Sequence, residues 1–565
     1  MNKAAAPAGF HSHFVVSSTS ERVRSCVVGG ILVGETGRQP LGHIFGTDGR
    51  VATCRFGLGA WGDQGDGDDQ TAKNRSVGAI VRIDVRGTPV FGTIVSLHTD
   101  PADGTKLIAE CEYIGEGTLG TIDSLTGFRR GVVNFPQPGD PVRMATESEL
   151  ATIFAPPAAA HISIGTVFPT KGVRAPVLFD QLLGRHFAIV GSSGSGKSTS
   201  VALMLHRIVD EIGGGHVVVL DPHGEYARAF GDRAQVWDVD NLVVPYWALN
   251  LEEHCDVFVA AEGDERTIDT NIMAKALQRA RMRNIQALDP GRITADTPIS
   301  YQYEDLIEAL ESEAGRLERI AEASRYTHLR LTIEQFFNDR RFRFMFAAEH
   351  ASSSIEQLLG DLLRIPNAGK PISIVNLAGV PTEVVNVVVA TLARLTLDYA
   401  IWAPRQEQAP VLLVCEEAHR YLPHAPSEAT RSVRRQLERI AREGRKYGVC
   451  LGLVSQRPSE LSSTALSQCG TIMSLRLNNQ ADQGHLIAAL TEGARSIAGA
   501  VGALRNRECI ISGEGVPLPM RVMIDTLEPA KRPASDDPSF SEKWGDDRAD
   551  RDTLGAVMRR WRAER

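Results

Sequence analysis

GRHFAIVGSSGSGKST, residues 184–199, places a short apolar run, Phe187–Val190, directly ahead of a complete G-x-x-x-x-G-K-[ST] sequence. After the loop, Val201, Met204, Leu205, Ile208 and Ile212 recur at helical spacing, which predicts a helix over Lys197–Ile212. A strand, a glycine-rich turn and a helix in that order form a cradle for an anion. Glycines let backbone N–H groups turn inward, and the helix N-terminus favours negative charge. Gly191, Ser192, Ser193, Gly194, Ser195, Gly196, Lys197, Ser198 and Thr199 are therefore the candidate nucleotide-binding run. Lys197 is placed to reach the β- and γ-phosphates of ATP, and the Ser198 hydroxyl to ligate Mg²⁺.

Working outward, Val217–Leu220 is a second apolar strand ending at Asp221, and strands alternating with helices imply an α/β fold with a parallel sheet covered on both faces. Further strands are expected at Ile372–Leu377, Val411–Cys415, Val449–Val454, Thr471–Leu477 and Glu508–Ser512. Val411–Cys415 ends in Glu416 and Glu417, and ligands of such sheets bind beyond the carboxyl ends of the strands. Glu416 is assigned to the metal ion and Glu417 to the attacking water. Asp221, in Asp221-Pro-His-Gly-Glu225-Tyr226, can face the same site, although an ordinary Pro/Gly turn explains that sequence too. Gln456, just beyond Val449–Val454, is positioned to sense the γ-phosphate. The segment Ser427–Tyr447 predicts a helix with an apolar stripe of Val433, Leu437, Ile440 and Ala441. It also carries Arg431, Arg434, Arg435, Arg439, Arg442, Arg445 and Lys446. One of these cations donated to a neighbouring subunit would stabilise charge on the transferred phosphoryl group; a basic surface pairing with acids is the other reading.

The 565 residues suggest two or three domains, and a net charge of −8 confines any nucleic-acid contact to a local basic surface. Residues 1–150 read as a small β-barrel or sandwich, with strands at Cys26–Val33, Gly78–Val85, Val90–Leu97 and Leu107–Tyr113 and an acidic, glycine-rich loop at Trp61–Lys73. Residues 151–250 and 366–529 form the ATPase core, and 251–365 a helical insertion with an amphipathic helix at Asp305–Ser324. Residues 530–565 are a polar tail ending in a short helix with Arg559, Arg560, Arg562 and Arg565. The eight cysteines are scattered without metal-ligand spacing and read as reduced thiols. The N-terminus lacks the apolar centre of a secretory leader and no run of 18 apolar residues occurs, so a cytoplasmic chain without a membrane span is expected.

Taken in order, GRHFAIVGSSGSGKST (184–199), VVVLDPHGEY (217–226), ISIVNLAGVPTEVVN (372–386), LVCEEAHRYLP (413–423), IAREGRKYGVCLGLVSQRPSEL (440–461) and SGEGVPLPMRV (512–522) resemble the HerA branch of the HerA/FtsK superfamily of P-loop ATPases. PGDPVRMATESEL (138–150) adds a weaker likeness to the HAS-type barrel of that family. The resemblance implies a RecA-like core in a homo-hexameric ring that threads duplex DNA, with nucleotide sites shared between subunits. It carries over Lys197, Asp221, Glu417 and Gln456 as catalytic positions, with Arg442 as the arginine acting in trans and Arg185 as a second candidate. It also implies a partner, either a NurA-type nuclease or an antiphage effector such as a sirtuin-like NADase. An ATP-gated scaffold that switches such an effector would show the same catalytic set. A conjugation-type coupling ATPase is disfavoured because those commonly carry N-terminal membrane spans.

Overall fold

The computed structural model describes residues 40–62, 75–120, 123–284, 290–315, 320–534, 540–545 and 551–564. The expected strand Cys26–Val33, most of the acidic loop Trp61–Lys73, and Arg565 lie outside them.

The first seven strands are β1 (Gly42–Thr47), β2 (Val51–Gly57), β3 (Ile80–Val85), β4 (Thr88–Thr99), β5 (Lys106–Leu119), β6 (Leu125–Arg130) and β7 (Pro141–Met144). Their order is β2-β1-β7-β3-β4-β5-β6, and β2 also pairs with β5 from Val51↔Glu112 to Gly57↔Lys106. That pairing closes six strands into a barrel and leaves β6 on its outside. Strict in/out alternation along β2 puts Ala52, Cys54 and Phe56 inside with Val81, Ile83, Val90 and Ile94. Below it, Arg82 and Arg143 converge on the buried carboxylate of Glu149 in the following helix, Glu147–Ile153.

The remaining strands form one eleven-stranded sheet. They are β8 (His161–Val167), β9 (Arg174–Leu178), β10 (Phe187–Val190), β11 (Val217–Asp221), β12 (Ala234–Trp237), β13 (Ile372–Asn376), β14 (Val411–Cys415), β15 (Val449–Ser455), β16 (Thr471–Ser474), β17 (Glu508–Gly513) and β18 (Met520–Ile524). In the order β12-β13-β11-β14-β15-β10-β16-β17-β18-β8-β9, the pairings as far as β16 are parallel, and from β16 to β9 every pairing is antiparallel. The parallel half matches the sequence expectation, and the antiparallel extension was not foreseen. Strands β10, β11 and β14 are buried at every position, as a sheet covered on both faces requires.

Residues of the 251–365 segment share one core with the sheet: Phe258, Leu277 and Phe346 pack in the same cluster as Val218, Leu220 and Leu413. Two helices, Tyr303–Ala314 and Ile320–Asn338, stand where one was expected at Asp305–Ser324; the first ends at Gly315. One helix among the described residues, Val385–Trp402, is long and apolar enough to cross a membrane, with mean hydropathy 1.3. It is instead 61% buried, packed in the core.

Candidate functional site

Two glycines set the phosphate loop. Gly196 holds φ +98°, the left-handed conformation that starts the helix Lys197–Ile212. A Cβ on Gly191 would stand 2.9 Å from the Leu475 Cβ, so only glycine lets the loop pass that close to the end of β16. The loop is tied to that neighbour by Ser192 N–H donating to the Arg476 carbonyl (2.8 Å) and Asn478 N–H donating to the Ser192 hydroxyl (3.0 Å).

Sheet order assembles the rest. Strand β15 lies between β10 and β14, so Gln456 follows the strand separating the loop from the acid pair. The Ser193 hydroxyl donates to the Gln456 side-chain oxygen. Lys197 is buried and reaches back to the Ser192 carbonyl (3.2 Å). Burial pulls the pKa of its ammonium below the usual lysine range, against the opposing pull of Glu417, Glu416 and Glu225. The cation thus sits in the field of both carboxylates of the pair.

Glu416 is buried, and burial pushes its carboxyl up to about 8; the Tyr226 hydroxyl, donating to Glu416 Oε2 at 2.9 Å, pulls the other way. Tyr226 is wholly buried and also interacts with the Ser198 side chain, so one phenol links the two residues assigned to the metal. Glu417 takes a left-handed backbone (φ +50°) that turns it off the strand end, and its Oε2 is buried without a hydrogen-bond partner. His419 Nδ1 stands 3.3 Å from that oxygen and 3.2 Å from the Ser455 hydroxyl. The sequence reading passed over Tyr226, His419 and Arg476. A tyrosine closing a turn at a strand end was the available signal for the first, since a buried phenol needs a polar partner.

Asp221, expected at the nucleotide, carries a charge that acts on both Tyr226 and Glu416. It is fully buried, and its carboxylate accepts from the N–H groups of His223 (3.2 Å), Gly224 (2.9 Å) and Tyr226 (2.9 Å). Those bonds make it the anchor of the turn that presents Tyr226.

The arginines divide. Arg431 pairs with Glu428, Arg434 with Glu438, Arg435 with Glu252, and Arg439 with Asp398 and Glu443. The surface-pairing reading therefore accounts for these four. Arg442, Arg445 and Lys446 are exposed and have no ion pair among the described residues. They lie where the helix Glu428–Glu443 leads into the start of β15. Arg185 precedes β10, paired with Glu514 at 2.8 Å. Roughly 13 Å of strand separates it from the loop. Arg185 and Arg442 thus share the sheet edge opposite the phosphate loop of their own chain.

The side chains fit a magnesium ion held as P-loop proteins hold it. Among the described residues no three His, Cys, Asp or Glu could cage a metal unaided. Mg²⁺ keeps waters and takes only one or two protein oxygens beside those of the substrate phosphates, and Ser198 and Glu416 offer hard oxygens beside the loop.

A phosphate loop, a buried lysine and an acid pair two strands away define a P-loop ATPase. The model for "Helicase HerA, central domain" matches residues 162–396. The chain is 29% identical over 413 residues to the DNA double-strand break repair helicase HerA of Sulfolobus acidocaldarius, covering 72% of this chain and 77% of that one. It is 27% identical to the protein of the same name from Pyrococcus furiosus, covering 64% and 69%. Among solved structures, VirB4 of Thermoanaerobacter pseudethanolicus aligns with a TM-score of 0.45 at 14% identity, over 66% of this chain and 98% of that one. The likeness to HerA proteins thus spans the ATPase core and most of the chain.

Proposed function

We propose that this ATPase is a cytoplasmic motor that moves double-stranded DNA through a homo-hexameric ring, taking ATP with Mg²⁺ at sites completed by the next subunit. The observation that carries the reading is the split of the catalytic groups. Lys197, Glu417 and Gln456 gather at the loop, while Arg442 and Arg185 lie at the opposite edge of the sheet. Placed away from its own chain's loop, either arginine would act on a nucleotide only by reaching a neighbour's site. Mg²⁺ held by Ser198 and Glu416 would draw charge from the phosphates. Glu417, steadied by His419, would take the proton of the attacking water, and Gln456 would relay the state of the γ-phosphate to Ser193 and the loop. The six-stranded barrel fits a HAS-type docking module for a NurA-like nuclease or a defence effector.

A motor that acts on any sequence grips phosphates, so duplex DNA should stimulate ATP turnover. The DNA concentration for half-stimulation should rise about tenfold or more between roughly 50 and 200 mM salt. A rate indifferent to duplex DNA but raised by a partner protein would favour the ATP-gated scaffold instead.

Arg442→Ala is expected to abolish turnover in uniform assemblies. Mixed with Lys197→Ala chains, it should recover part of the rate, because some interfaces then pair an intact loop with an intact arginine. Mixtures as inert as either variant would assign Arg442 a structural role.

A further inference from the structure

The outer strand of the eleven-stranded sheet, β12, lies five places along it from β10 and the phosphate loop. Between Trp237 at its end, the stretch that follows it and the helix Ile355–Leu363 is a cavity of about 260 Å³. Leu242, Pro245 and Leu358 supply its apolar wall.

We propose that this cavity binds a guanidinium or alkylammonium group on an apolar stem, with the charge at the Asp361 carboxylate and the stem against the Trp237 indole. The polar groups here are acceptors that lack a cation. Asp361 is half-buried, and among the described residues its carboxylate has neither a hydrogen bond nor an ion pair. No lysine or arginine lines the cavity. Arginines near it in sequence are engaged elsewhere: Arg343 pairs with Glu349 at 2.7 Å, and Arg364 Nε donates to the Lys370 carbonyl at 3.0 Å. His350, also in the lining, adds a second acceptor. Its Nε2 donates to the Arg343 carbonyl (2.9 Å), and burial pulls its pKa below the usual histidine range. The ring is therefore neutral at pH 7, and Nδ1 keeps its lone pair.

The walls fit the stem. Trp237 Nε1 donates to the Ser373 hydroxyl at 3.2 Å, and that hydroxyl donates to the Asp361 carbonyl at 3.4 Å. One serine of β13 thus holds the indole and the acid-bearing turn together, and an indole is the aromatic ring that attracts a cation most strongly. Helix direction agrees. Ser354 caps the helix start, its hydroxyl accepting from the Gln357 N–H at 3.0 Å. Asp361 stands about two turns further on, toward the end of the helix that favours positive charge. The volume falls below the about 300–1,000 Å³ of pockets for drug-sized ligands and suits one group the size of a side chain.

Ligand-observed NMR titration of the full chain with n-butylguanidinium and with n-butylurea, its neutral isostere, isolates the charge. The cation should bind about tenfold or more tightly than the urea. Asp361→Asn should remove that preference. Gln357→Glu, at an exposed position one turn from Asp361, should strengthen cation binding about threefold. ATP turnover should stay within about twofold of wild type in both variants, because the phosphate loop lies far along the sheet. A blocked pentapeptide with one central arginine identifies the source. Affinity equal to that of butylguanidinium marks a site for a free small cation, and affinity about tenfold higher marks one for a side chain of a protein partner. Equal binding of butylurea and butylguanidinium, unchanged cation affinity in Asp361→Asn, or no binding of any probe at about 10 mM overturns the proposal.

Discussion

Glu417→Gln is expected to bind ATP about as tightly as the wild type and to hydrolyse it about 10²–10⁴-fold more slowly. The change keeps size and shape and removes only the capacity to accept a proton. Glu417 is buried, yet its Oε2 has no hydrogen-bond partner and only His419 within 3.3 Å. A buried acceptor left open costs about 1–3 kcal/mol, a cost the fold recovers only if something arrives to be bound. Its left-handed backbone adds strain of the same order at the same residue. Both features mark a group held ready for a substrate water. Because the glutamine relieves the open carboxylate, the melting temperature should stay level or rise while turnover collapses. Single-turnover hydrolysis, nucleotide titration and a thermal melt on one preparation check this, and normal turnover would take the base role away from Glu417.

The parts of this site legible in the sequence are those written in contiguous residues. Phe187–Val190 and Val411–Cys415 are apolar throughout because both faces of the sheet are covered, and the structure starts and ends those strands where the sequence reading did. The helix Lys197–Ile212 likewise carries its own start signal in Gly196 and its own stripe. What escaped depends on partners far along the chain. Barrel closure needs β2 to meet β5, and the antiparallel extension needs Val522 to meet Val167. No local pattern in either member of such a pair records the other.

The same reason bears on the polar residues. Asp221 looked available because a carboxylate at a strand end usually is. Three backbone N–H groups within five residues of it bond its carboxylate, and turn geometry rather than composition determines that. Seven basic residues on one helix looked alike in sequence. Arg431, Arg434 and Arg439 find Glu428, Glu438 and Glu443 three or four residues along the same helix, a spacing visible in sequence. Glu252 for Arg435 and Asp398 for Arg439 come from elsewhere, and only the folded chain supplies them. Tyr226 was hidden for the opposite reason. An aromatic closing a turn reads as core, and it is core, except for the one oxygen that reaches Glu416.

Lys197→Ala is expected to reduce ATP turnover by about 10³-fold or more and, unlike Glu417→Gln, to weaken nucleotide binding as well. The lysine is a compact point charge buried beside the loop, so it meets phosphate with little water to screen it. Desolvation already works against its charged form, and three carboxylates oppose that shift. An arriving triphosphate supplies more negative charge than any of them, which makes the lysine more valuable to the complex than to the empty fold. Removing it should therefore cost the free protein little: one bond to the Ser192 carbonyl disappears, and so does the penalty of a buried ammonium. A melting temperature within a few degrees of wild type, loss of hydrolysis and loss of calorimetric ATP binding are the expected set. The contrast between the two variants carries the weight, one holding ATP without cutting it and the other failing to hold it. Turnover within about tenfold of wild type in Lys197→Ala would mean that the loop binds something other than the phosphates of the hydrolysed nucleotide.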